Sequence, residues 1–71
     1  MKRHQLLRGI ARAARARGVV WKLDRQGAGH EIWQCGKLSV PVPRHKEIDD
    51  SLAKTLFAEL ELELGKDWWR R

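Results

Sequence analysis

The chain has no tyrosine, one phenylalanine, one methionine, one cysteine and two prolines in 71 residues. A lone Cys35 excludes an internal disulfide and a multi-cysteine metal cluster, and it fits a reducing, cytoplasmic setting. No apolar run approaches the ~20 residues needed to cross a membrane. The charged N-terminus is not followed by the apolar stretch of a secretion signal. There is no internal repeat and no low-complexity tract. Length adds its own exclusion. A chain this short buries only ~60% of its unfolded surface, so a single domain spanning 1–71 is the ceiling and a deep cofactor cavity has no room. A large substrate has to bind on the surface.

Basic residues dominate what is present. Fifteen Lys and Arg stand against nine Asp and Glu, a formal charge of +6 with neutral histidines. With a pI near 10.3, that balance favours an anionic partner, most simply nucleic acid, although solubility alone also accounts for a positive surface.

Apolar spacing predicts a helix over 3–17, with Leu6, Ile10 and Ala14 in one stripe and Leu7 beside it. Arg3, Arg8, Arg12 and Arg15 fall off that stripe, and Gly18 is a natural C-terminal stop. Val19 to Asp24 reads as a strand. Gly27-Ala28-Gly29 reads as a turn, His30 to Cys35 as a second strand, and Gly36-Lys37 as a tight hairpin. In Leu38 to Val42, the apolar Leu38, Val40 and Val42 alternate with Ser39 and Pro41. Pro41 cannot donate to a ladder, which places this third strand at an edge or a bulge. Asp49-Asp50-Ser51 supplies helix N-cap chemistry. A helix then runs to about Leu64 on a stripe of Leu52, Leu56, Leu60 and Leu64 widened by Phe57, and Gly65 ends it. The order is α-β-β-β-α. Helix stripes and one sheet face must bury each other, so the expected fold is α+β. A three-stranded antiparallel sheet would carry both helices on one face, the layout of double-stranded RNA-binding domains.

Two segments carry a resemblance. Gly27-Ala28-Gly29-His30-Glu31-Ile32-Trp33 is a glycine-led turn into a strand-starting histidine. Val42-Pro43-Arg44-His45 is a Val-Pro-x-His element placed before the last helix. Together with Leu64-Gly65-Lys66-Asp67-Trp68-Trp69-Arg70 at the tail, they resemble the HicA family, in the form its actinobacterial-type members take. Gly-x-His and Pro-x-His are each common, but their joint order, spacing and chain length are fairly specific, and the likeness covers nearly the whole chain. It implies a toxin that cleaves mRNA and is silenced by a HicB-type antitoxin. The family's histidine falls on His30. Members commonly have Gly-Ser-His where this chain has Ala28-Gly29-His30.

The chemistry suits those residues. RNA carries its own nucleophile, the 2′-hydroxyl. A histidine with a reference pKa of ~6.5 offers both protonation states near neutrality, and one placed acid–base group is worth typically ~10²–10⁴-fold in rate. No metal or other cofactor is needed, and the acidic residues form no cluster suited to Mg²⁺. Gly29 lets a nucleic-acid backbone approach closely. Lys22, Arg25, Arg44 and Lys46 are the basic residues nearest the turns, candidates for phosphate contacts. Arg44 is also a candidate for stabilising developing charge. His45 is either a second acid, a phosphate donor or a residue fixing the loop. His4 is given no role. Cys35, in an apolar run, reads as structural before nucleophilic. Trp21 and Trp33 read as packing residues, with base stacking by Trp33 as the alternative. Trp68-Trp69 either folds back on the core or meets a partner. Two other functions stay open at this level: a noncatalytic RNA-binding module of the same fold, and a protein-interaction domain for an acidic partner.

Overall fold

The computed structural model describes residues 1–70. Helix α1 spans Arg3–Arg17, and strands β1, β2 and β3 span Trp21–Gln26, His30–Cys35 and Leu38–Pro43. Helix α2 spans Asp50–Leu64. The three strands form one antiparallel sheet in the order β1-β2-β3.

Helix α1 stops at Gly18, which adopts φ 68°. There the amide of Val19 donates to Ala14 O at 2.8 Å and that of Gly18 to Arg15 O at 3.3 Å. This paired C-terminal motif satisfies carbonyls that the helix leaves open. It also explains why the first strand starts two residues later than its β-branched composition predicts: Val19 is held in the helix cap. At the other end of the sheet, β3 is an edge strand, so the missing donor of Pro41 costs no ladder bond. Helix α2 is capped as its sequence predicts, with the Asp49 carboxylate accepting from the Ser51 amide at 3.2 Å.

Both helices lie on one face of the sheet. Leu6, Ile10, Ala13 and Ala14 of α1 and Ala53, Leu56, Leu60 and Leu64 of α2 join Cys35, Val40 and Val42 of the sheet in one core, closed by Ile48 and Trp68. The buried stripe of α2 is rotated slightly from the expected one: Ala53 is buried and Leu52 only half-buried. A stripe at strict i+4 spacing drifts around a helix of 3.6 residues per turn, which brings position 53 inward at this end in place of position 52. The tail turns back on the core. The Trp68 indole donates to Phe57 O at 2.9 Å, and Trp69 stacks on Phe57 with ring centroids 5.2 Å apart.

A short backbone zipper fixes the start of α1 to the β3–α2 connection. Arg3 N donates to Lys46 O at 2.8 Å and Ile48 N to Met1 O at 2.7 Å. The terminal ammonium returns a bond to Ile48 O at 2.9 Å. The first residues of the chain therefore sit at the end of the sheet where β2 begins and β3 ends.

Candidate nucleic-acid interface

Side chains directly opposite in an antiparallel ladder share a face, and neighbours along a strand alternate. The register pairs Trp33 with Val40 and Glu31 with Val42, so Glu31, Trp33 and Cys35 point to the helices. His30, Ile32 and Gln34 point to the open face, opposite Pro43, Pro41 and Ser39. Lys22 joins them, opposite Gln34.

Arg25 reaches this face through an irregularity. The register runs Leu23 to Trp33, then skips Asp24 and pairs Arg25 with Ile32. Strict alternation from Lys22 would have turned Arg25 inward with Glu31. The extra residue of the bulge re-aims it, so Lys22, Arg25 and His30 surround the half-buried Ile32 on one surface. Arg25 carries a partial counter-charge there, its Nη1 lying 3.0 Å from the Asp24 carboxylate.

The β1–β2 hairpin positions His30. Gly27 N donates to His30 O at 2.8 Å, and Gly29 adopts φ 76°. A serine in that left-handed conformation would be strained by about 1–2 kcal/mol, although its Cβ would meet nothing within 4 Å. Glycine takes up this backbone conformation without that strain. The His30 ring is exposed, with Nδ1 3.3 Å from Ala28 O. When Nδ1 carries the proton and donates to that carbonyl, Nε2 is left with a free lone pair on the solvent side.

Arg44 is tied to the same hairpin. Its Nη2 donates to Gly27 O at 2.8 Å and to the Gln26 amide oxygen. His45 and Lys46 follow in an exposed bend. The backbone of that bend is held through Lys46 O, the acceptor for Arg3 N, and among the described residues His45 makes no imidazole bond of the kind one of its expected roles would need.

Sequence reasoning missed the residues that anchor the start of β2 from behind. Arg3 donates through Nε to Pro43 O at 2.8 Å and through Nη2 to Glu31. The Trp33 indole donates to the same carboxylate at 3.0 Å. The hydrogen bond from Trp33, reinforced by Arg3, holds the Glu31 carboxyl below its ordinary value, against the opposing effect of burial. Nothing local in the sequence signals a pair separated by 28 residues.

Two alternative readings of single residues are decided by position. Trp33 stacks on Trp21 with centroids 4.5 Å apart, on the helix side of the sheet, so it offers no platform for a base on the open face. Cys35 is fully buried. Burial, with Glu63 nearby, pushes its thiol up to about 11, which leaves it protonated at neutral pH and unsuited to nucleophilic attack.

No protein-family model, curated protein or solved structure matches this chain. Among the described residues, no three His, Cys, Asp or Glu side chains come together as a metal site would require, and no helix is long and apolar enough to cross a membrane.

Proposed function

We propose that this chain is a metal-independent endoribonuclease of the HicA toxin type, cutting mRNA with His30 and held silent by a HicB-type antitoxin that covers the same end of the sheet. One observation carries the reading. An exposed imidazole stands on a glycine-built hairpin, shares an open sheet face with Lys22 and Arg25, and is flanked by Arg44, which is bonded to the hairpin's own carbonyl.

The reaction follows from those positions. A strand lying over the open face places its phosphates among Lys22, Arg25 and Arg44. His30 Nε2 takes the proton of the adjacent 2′-hydroxyl. The 2′-oxygen attacks phosphorus, the bond to the 5′-oxygen breaks as that oxygen takes a proton from solvent water, and the His30 imidazolium returns its proton to solvent. The products are a 2′,3′-cyclic phosphate and a 5′-hydroxyl. Arg44 is the cation best fixed to meet the extra negative charge on the phosphorane. The lost proton acceptor of a His30→Ala chain should lower the cleavage rate by about 10²–10⁴-fold. Fold and RNA affinity should persist in that variant.

The test is cleavage of a labelled RNA by purified wild-type and His30→Ala chains in EDTA, together with growth after induction of each. Wild-type cleavage with cyclic-phosphate ends, and its loss in His30→Ala, is the expected outcome. Equal cleavage by both proteins, with contaminating nuclease removed, eliminates the acid–base role. RNA binding without cleavage by the wild type reassigns the chain as a noncatalytic RNA-binding module.

A further inference from the structure

At the end of the sheet where β2 begins and β3 ends lies a shallow cleft of about 420 Å³, lined by Lys2, Arg3, His4, Arg44 and Lys46. All five side chains are basic, and three of them come from residues 2–4. The cleft is built from two distant segments locked together by backbone bonds, Arg3 N to Lys46 O and Ile48 N to Met1 O. Its charges are only partly neutralised. Lys2 pairs with Glu47 at 3.0 Å and Arg3 pairs with Glu31, whereas His4, Arg44 and Lys46 have no carboxylate partner among the described residues. Arg44 belongs to both places, since it lines the cleft and bonds the Gly27 carbonyl in the His30 hairpin.

We infer that this cleft is a second phosphate subsite, which takes the phosphodiester backbone of the same strand beyond the bond that His30 attacks. The inference rests on the RNA-cleaving reading and extends it. The substrate is a polynucleotide that runs from the open face, past Arg44, to the first turn of α1. His4 and Lys46 contact phosphate, and Arg3 holds the floor. The chemistry recognised is the anionic backbone, so the cleft contributes affinity without distinguishing one base from another.

The test uses the full chain carrying His30→Ala, so that RNA survives the titration. Affinity for a labelled 12-nucleotide oligouridine at low salt is compared in His4→Glu, Lys46→Glu and Lys54→Glu backgrounds, with folding checked by circular dichroism. Lys54 is exposed on α2, outside the residues that line the cleft or face the open side of the sheet, and its reversal makes the same change in charge as that of Lys46. Loss of a phosphate contact plus local repulsion should weaken binding about tenfold in each of the first two variants. Lys54→Glu should stay within about twofold, because only long-range screened charge changes. Equal weakening in all three variants overturns the cleft and leaves the ribonuclease reading standing. Failure of the parent chain to bind the RNA at all removes both. A labelled oligoglutamate that binds more tightly than the RNA, and is the ligand lost in His4→Glu and Lys46→Glu, overturns the inference in favour of an acidic protein partner.

Discussion

At the scale of single residues, the site depends on groups that do no chemistry. Glu31 follows His30 in β2 but points to the other side of the sheet, where Arg3 and the Trp33 indole hold it. Because its folded pKa is depressed, its contribution to stability is fully present above the ordinary glutamate value. That contribution is lost as the pH falls through the lower folded value. Glu31→Gln should therefore be less stable than wild type at pH 7, and the gap should narrow as the pH is taken from about 5 down to 3. Urea unfolding at several pH values measures it, and a constant gap would mean that the carboxylate's charge is not what anchors the strand. The sequence makes His30, Gly29 and Arg44 visible because each sits in a turn motif with its own local chemistry. Arg3 and His4 are invisible there because their roles arise only when the two ends of a 40-residue stretch meet. Arg25 was expected among the RNA contacts, but the bulge that turns it to the open face leaves no mark in the local pattern.

Elements were far more legible. The end of α1 and the limits of β2 follow from glycines, and the edge position of β3 follows from Pro41. The failures are instructive in the same terms: Val19 has strand composition but is captured by a helix cap, and Ala53 replaces Leu52 in the buried stripe of α2 because strict i+4 spacing drifts around a helix of 3.6 residues per turn. The Trp68-Trp69 tail had two possible fates in the sequence, and the structure assigns Trp68 to the core. Its packing and its hydrogen bond can be separated. Trp68→Phe keeps an aromatic ring against Phe57 but deletes the donor to Phe57 O, and should cost about 1 kcal/mol. Trp68→Ala also opens a cavity and should cost about 3–5 kcal/mol. Urea denaturation followed by circular dichroism gives both values. Near-equal losses would locate the contribution of Trp68 in the indole bond rather than in the filled space.

The whole molecule is electrically lopsided. Eleven Lys and Arg and only two Asp and Glu occur through residue 46, against four and seven after it, so α2 and the tail are the acidic side of a basic protein. The excess of positive charge therefore lies in the part of the chain that carries the sheet, the His30 hairpin and the cations of the cleft. A strand approaching this protein is drawn to those cations and away from the acidic residues of α2. The consequence is measurable as salt dependence. If three phosphates are neutralised, by Lys22, Arg25 and Arg44, the log–log slope of RNA affinity against salt should be about −2, since single strands lose about 0.7 per contact. Between 50 and 200 mM salt that slope corresponds to roughly a 20-fold loss of affinity, and each further contact in the cleft makes it steeper. The titration is best made on His30→Ala, with oligouridine at four or five salt concentrations. A loss of less than twofold would mean that binding is carried by uncharged contacts. In that case the concentration of cations at this end of the sheet would serve something other than nucleic acid.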